Sequence, residues 1–295
     1  MADRVMHSLT WTGTLHATSS VAHGGETRAT TTLLRRERIL RDGVLLNVPI
    51  VSGNSWRGRL RRMAEEQLRE VIKYEGQLTL AAAHTLRAGG SLAKSSTALT
   101  GARLQSVREL VPPLAVFGGA VGRTIEGSLQ VGKLVPHLEE TSHLTGVEGP
   151  SMFSAVQLET YTRIDEADRP GTASLVEATP TPLLPDGSPD QAAIDALPDS
   201  VPGAMAWRLE TLPAGTSFSG WLRLEHVSPR NLAFFLDLLD RFSTAGHIGG
   251  RSSTGHGQVA SDLRPTTTPP AGLPDWRAEL HERRDEVMDA IALLG

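Results

Sequence analysis

The 295-residue chain contains no cysteine. Disulfides, thiol nucleophiles and cysteine-ligated zinc are therefore excluded. Aromatic residues make up only 4 % of it, so large flat anchors are scarce. No stretch approaches the ~18 consecutive apolar residues that span a bilayer. Met1-Ala2-Asp3-Arg4 has no apolar run behind it, so no secretory signal is apparent and a cytoplasmic protein without membrane contact is expected. Metal spacing is missing too. The ten histidines include no His-Glu-x-x-His, and His137 and His143 stand six apart. Neither a metal nor a cofactor is expected. The adjacent carboxylates Glu65-Glu66 and Glu139-Glu140 point to diverging faces, which suits solvation better than acid–base work. No Gly-x-Ser-x-Gly elbow supports a serine nucleophile.

What is present is an uneven charge. The net charge of −4 argues against a general polyanion binder. Between Arg28 and Lys73, however, eleven Lys/Arg face five acids, a local +6 that leaves −10 for the rest. A basic patch on an acidic body fits a defined anionic ligand. Its centre is Pro49-Ile-Val-Ser-Gly-Asn-Ser-Trp-Arg-Gly-Arg-Leu-Arg-Arg62. The apolar run breaks at Ser52-Gly53-Asn54 and opens into a helix expected from about Ser52 to Tyr74, with Ser52 or Asn54 as its cap. Trp56, Leu60, Met63, Ala64, Gln67, Leu68 and Val71 fall on one side of that helix. Arg57 and Arg61 flank this apolar side, while Arg59, Arg62 and Arg69 lie round the other way. Positive charge beside a helix N-terminus with free N–H groups suits phosphate; a merely solvated charged face is the alternative. A second anion-binding candidate is Gly249-Gly-Arg-Ser-Ser-Thr-Gly-His-Gly257, where glycine lets backbone N–H groups approach a phosphate and Arg251 can fork onto it. It lacks the Gly-Lys-Ser/Thr ending of a nucleotide loop, and a tight turn with incidental Arg251 is the alternative.

Along the chain, Met6–Thr18 alternates like a strand. His23-Gly24-Gly25 reads as a flexible loop, and 28–48 as a polar, basic stretch tethered by Leu33-Leu34 and Val44–Leu46. Residues 77–123 read as helical pieces broken by Gly89-Gly90 and Gly101, with a short buried helix in Leu110–Gly119. Strands are expected at Ser128–Val135 and Ala155–Arg163, and a proline-rich loop over 179–203 with a short helix at 190–197. A hairpin is expected from Met205–Leu212 and Thr216–His226 around Pro213-Ala-Gly215. Ser228-Pro229 starts a helix, Gln258–Leu263 is a strand, 265–274 a linker, and 273–294 a charged helix. The order gives an α+β protein with a split βαβ, ferredoxin-like core carrying long insertions.

Four segments together resemble a known family, the RAMP superfamily of CRISPR-associated proteins. Val48–Arg62 resembles its "I-P-x-[SG]-[SG]-x-[SL]-[RK]-G" segment, Glu210-Thr-Leu-Pro-Ala-Gly-Thr-Ser-Phe-Ser-Gly220 its "E-x-[VL]-P-x-G-x-x-F" hairpin, and Gly249–Val259 its glycine-rich loop. Phe117-Gly118-Gly119 with Gly127–Leu134 is similar to its "F-G … G-x-[LV]-x-[VF]-x-D" stretch. Within the superfamily the chain is most similar to the repeated "seven"-type backbone subunit, and Leu33-Leu-Arg-Arg-Glu-Arg38 points to the type IV branch. The resemblance implies a modified RRM-type palm over 1–263, with helical fingers inserted at about 75–125 and a thumb hairpin at about 155–210, followed by a linker and C-terminal helix at 264–295. It implies guide RNA as partner, target nucleic acid paired to that guide, further copies stacked head-to-tail, and large (cap) and foot subunits. Ser52, Asn54, Ser55, Arg57 and Arg61 would contact guide phosphates. Gly250, Arg251, Ser252 and Ser253 would cradle a neighbouring phosphate. His23, Gly24, Gly25 and Arg28 would lie near guide or target, and Arg59 and Arg62 would be secondary contacts or face the next subunit. Type III relatives carry a target-cleaving aspartate in the loop after the first strand. Residues 18–36 contain none, Glu26 being the one acid, so a non-catalytic scaffold is expected. Two alternatives stay open: an RNA-cleaving backbone subunit using Glu26, and a repeat-RNA endoribonuclease using His23 or His256.

Overall fold

Alternation decides the first strand, β1 (His7–Ala17). Leu9, Trp11, Leu15 and Ala17 are buried while Ser8, Thr12 and His16 face outward. The computed structural model describes residues 6–90, 92, 98–163, 184–188, 190, 192 and 205–295. Two hairpins follow β1. They are β2 (Gly24–Arg28) with β3 (Thr31–Leu34), and β4 (Arg36–Arg41) with β5 (Val44–Pro49). This corrects the expected flexible loop: Gly24 and Gly25 open a strand. Tight turns with positive φ at Ala29 and Asp42 fold the basic stretch into paired ribbons.

Helix α1 (Gly53–Ile72) begins where the apolar run stops. Ser52, not Asn54, is its cap, and the Ser52 hydroxyl accepts from the Ser55 N–H at 3.4 Å. The inner face is Trp56, Leu60, Met63, Ala64, Gln67, Leu68 and Ile72, all buried; Val71 is only half-buried. Next come α2 (Leu80–Ala88), α3 (Gly101–Leu110) and α4 (Pro112–Phe117), whose six residues are all buried. Gly101 opens α3 and does not interrupt it. A small hairpin, β6 (Gly119–Val121) with β7 (Arg123–Ile125), precedes β8 (Leu129–Val131) and β9 (Val135–Pro136). The single strand expected over 128–135 is thus two. Short helices α5 (Ser142–Thr145) and α6 (Met152–Ala155) lead to β10 (Gln157–Arg163), which pairs antiparallel with β11 (Met205–Thr211). These strands flank the expected thumb. Most of the thumb, and most of the proline-rich loop with its helix at 190–197, lies outside the described residues.

The chain closes with β12 (Ser217–Val227), α7 (Pro229–Ala245), β13 (Val259–Pro265), α8 (Trp276–Glu282) and α9 (Arg284–Ala292). As read from the sequence, Ser228 caps α7, accepting from the Asn231 N–H, and Pro229 takes the first helical position. The single C-terminal helix is corrected to two, broken at Arg283. Trp276, Leu280, Val287, Ile291 and Leu294 join the same buried cluster as the rest of the core.

The main sheet has the order β13-β1-β12-β8, every pair antiparallel, with β9 added to β12. The path β1-α1-β8-β12-α7-β13 is the split βαβ arrangement of a ferredoxin-like palm. Leu15, Phe218 and Leu222 of the sheet, Trp56 and Leu60 of α1 and Phe235 and Phe242 of α7 are fully buried between sheet and helices, each contributing ~1.5–3 kcal/mol. A second sheet, β10-β11-β3-β2, stands beside the first. The expected hairpin of β11 with β12 does not form. Pro213-Ala-Gly215 carries the chain from one sheet to the other across the end of β1, where Gly215 N–H donates to Ala17 O at 2.8 Å and Ala17 N–H to Thr216 O at 2.9 Å. Both strands find longer partners elsewhere, β11 on β10 and β12 on β1.

Candidate nucleic-acid interface

Beyond β1 the chain runs on as a seam between two of the motifs. On one side, Gly257 N–H donates to Ser20 O at 2.8 Å and Gly250 N–H to Ala22 O at 2.6 Å, so the glycine loop is sewn onto this segment. On the other, His23 Nε2 accepts the Ser52 N–H at 3.2 Å and lies 3.2 Å from the Ser52 hydroxyl. His23 must be unprotonated at Nε2 to do so. Burial, then the charge of Arg35, holds its pKa below the ordinary histidine value. The residues brought together are therefore His23, Ser52 and the loop 250–253, with Asn54 exposed and Ser55 half-buried at the first turn of α1. Helix geometry leaves the N–H groups of Gly53 and Asn54 without intrahelical acceptors, at the positive end of the dipole. Gly24, Gly25 and Arg28 continue from His23 along exposed β2, where Arg28 pairs with Glu26. Glu210 of the "E-x-L-P" segment holds the end of β3. It accepts the Leu34 N–H at 2.9 Å and pairs with Arg36 at 2.8 Å.

Arg251 is the exposed cation of the loop. It sits in a left-handed conformation (φ 58°), and its guanidinium lies 4.2 Å from the centroid of the Trp207 ring. Trp207 stacks on Tyr161 at 4.4 Å with 13° between planes. Tyr161 Oη lies 2.6 Å from Glu159 and 2.7 Å from His256 Nε2, and His256 Nδ1 lies 2.9 Å from the Ser20 hydroxyl. Thr211 donates to Glu159 at 2.7 Å. The set is satisfied when Tyr161 donates to Glu159, so that His256 donates through Nε2 and accepts at Nδ1. Burial pushes the Tyr161 phenol up to about 12, with Glu159 adding to it. Burial alone would raise Glu159, but hydrogen bonds from Tyr161 and Thr211 hold it below the ordinary value. The foot of the β10–β11 insertion is in this way tied to the glycine loop. Sequence reasoning missed Trp207 and Tyr161. The available signal was two large aromatics on alternating strands of a chain otherwise short of them.

The α1 arginines divide. Arg57 donates to Phe117 O at 2.7 Å; Arg61 donates to Gly118 O at 2.9 Å and Phe117 O at 2.6 Å. Arg61 is 6 % exposed, and burial, then Arg57, lowers its pKa to about 10. The expected phosphate-facing placement of this pair is corrected: both reach inward to the carbonyl end of α4, whose last turn has no intrahelical donors for them. Arg59 is half-buried and Arg62 exposed. They lie seven and ten residues beyond Ser52, roughly 10–15 Å up the helix at 1.5 Å per residue, and do not join the loop. Ser252 and Ser253 form an exposed single turn beside Arg251. Among the described residues no group of three His, Cys, Asp or Glu could hold a metal ion, and no helix is long and apolar enough to cross a membrane.

A palm of this topology, whose segment after the first strand bonds the glycine loop on one side and the cap of the first helix on the other, is the setting of the family comparison. The RAMP superfamily model matches residues 35–260, and the chain belongs to that superfamily. Among solved structures, the chain is similar to one from a "Type IV-B CRISPR Complex", with 32 % identity and a TM-score of 0.57 over 90 % of this chain and 94 % of that one. No curated protein matches it.

Proposed function

We propose that the chain is a non-catalytic backbone subunit of a type IV CRISPR effector ribonucleoprotein. It grips a guide RNA through phosphate and ribose, leaves the bases free to pair with target, and stacks head-to-tail with further copies between large and foot subunits. The observation that carries this reading is the seam Ser20–His23. It bonds the exposed glycine loop with Arg251 on one side and Ser52, the cap of α1, on the other. Backbone N–H groups and one forked cation recognise phosphate without reading sequence, as a guide-holding subunit requires. The similarity to a type IV-B complex supports the branch.

A scaffold role is favoured over strand cleavage by the state of the candidate catalytic groups. Glu26 is paired with Arg28, His23 is engaged with Ser52, and His256 is 4 % exposed beneath Tyr161. Native purification tests the reading. The protein is expected to emerge as a multimer on long protected RNA that added salt strips away, because phosphate contacts release counterions. A monomer free of nucleic acid, indifferent to added RNA, overturns it.

A further inference from the structure

The palm sheet has a second face, turned away from α1 and α7. It displays Thr12 and Thr14 of β1, Ser219, Trp221, Arg223 and Glu225 of β12 and Asp262 and Arg264 of β13. The register sets Thr12 between Trp221 and Arg264, and Thr14 opposite Ser219. Trp221 is 41 % exposed, an unusual position for one of only five tryptophans. Its indole lies flat against Gly132: a Cβ at that position would stand 2.5 Å from the indole nitrogen. On the other side of the same peptide, a Cβ at Gly53 would meet Val131 O at 2.6 Å and Gly132 O at 3.0 Å. The Val131-Gly132 backbone is thus pressed between the indole and the first residue of α1. Glycine at both positions permits that double approach. One backbone thickness separates the exposed ring from the helix N-terminus.

The surroundings indicate what the ring receives. Its neighbours are hydroxyls and two ion-paired guanidinium groups: Arg223, 3.8 Å from Glu225, lies 6.0 Å from the ring centroid, too loose to be the close stack that Arg251 makes on Trp207, and Arg264 pairs with Asp262 at 2.6 Å. A protein contact of any stability needs an apolar centre, and the residues that the register sets around the indole, Thr12, Ser219, Arg223 and Arg264, are all polar. A flat exposed aromatic ring on a polar sheet face is how single-stranded nucleic acid is held by its bases. We infer that Trp221 is the stacking platform for one unpaired nucleobase of the strand whose phosphates lie at the first turn of α1. The ligand class rests on the proposed function; the location of the platform does not.

Binding of a uridine oligomer of about 15 nucleotides, compared with an abasic sugar–phosphate oligomer of equal length, tests this on the full chain. The wild-type protein is expected to prefer the uridine strand by about tenfold, within the range that one stacked base supplies. Trp221→Ala should bind both strands alike, with abasic binding unchanged, and Trp221→Phe should keep most of the preference. A loss on both strands equally, or no change on either, overturns the platform and leaves the loop site standing. Failure of the wild-type protein to bind either strand overturns the platform and the guide-holding role together.

Discussion

Arg61 and Arg251 come from the two segments that look most suited to an anion, and they end in opposite surroundings. Arg61 lies on a helix whose next-door neighbour, α4, ends with open carbonyls. Three hydrogen bonds from Arg57 and Arg61 close them. Arg251 lies on a turn, and its guanidinium rests on an aromatic face. A stacked guanidinium keeps its donors in plane and free for a phosphate; one forked onto buried carbonyls does not. The local supply of acceptors, more than the residue type, decides which arginine of a basic motif is a tie and which is a contact.

Charge reversal at the two sites should separate these roles most sharply. Arg61→Glu removes two charge-assisted bonds and buries a carboxylate against carbonyl oxygens, a loss of about 3 kcal/mol or more. Denaturant unfolding should show it as a large drop in midpoint or as insoluble protein. Arg251→Glu combined with Arg28→Glu touches only exposed side chains and removes one cation–π contact and one surface ion pair, so the stability loss should be about 1 kcal/mol. RNA affinity, read by fluorescence anisotropy at fixed salt, should fall by at least about tenfold. A well-folded Arg61→Glu protein that has lost its RNA would invert the comparison. Arg57→Glu with Arg61→Glu, the pair that the sequence alone recommends as a surface test, is therefore a stability experiment.

Trp207 sharpens the same contrast at smaller amplitude. An exposed cation–π contact is worth about 0.5–1 kcal/mol, so Trp207→Ala should weaken RNA binding about two- to fivefold, and Trp207→Phe should restore much of it. The discriminating readout is the dependence of affinity on salt. On the proposed function Arg251→Ala removes a phosphate contact, and it should lower the slope by about one. Trp207→Ala releases Arg251 from its pre-set direction without removing a charge and should leave the slope unchanged. Equal changes in slope would show that Trp207 does not act through Arg251.

Much of this was legible in the sequence, and what was hidden has a common cause. The alternation of β1, the Ser52 cap, the Ser228-Pro229 start and the closure of α4 by Gly118 are local signals, set by residues within one or two turns of each other. The split βαβ order could be read because each of its elements carries such a signal. The acceptors of Arg61 lie 56 and 57 residues away in sequence, and no periodicity reports them. The turn at Pro213-Ala-Gly215 is a hairpin signal by composition, yet whether two strands pair depends on what else is on offer, and here β1 and β10 outbid the neighbour. Trp207, Tyr161 and His256 come from three separate segments, and only the folded chain stacks them.

The smallest expected effect concerns protons and sets His23 apart from the Arg251 side of the seam. With its folded pKa depressed by burial and then Arg35, His23 takes up a proton more readily in the unfolded chain. Below the unfolded value of about 6.5 the unfolded state binds more protons, so its stabilising share is complete above that pH and is lost as pH falls. His137, depressed by burial and then by His16, adds a contribution of the same sign. Glu159, at the foot of the Arg251 stack, is held below its ordinary value and does not titrate in this window. Melting temperature should therefore drop between pH 7.5 and 5.5. His23→Gln, whose side-chain carbonyl can still accept the Ser52 N–H, should shallow that drop without abolishing it, since His137 remains. An unchanged pH slope in His23→Gln would mean that the His23–Ser52 contact carries no proton-linked stability, and that the seam is held from the glycine-loop side alone.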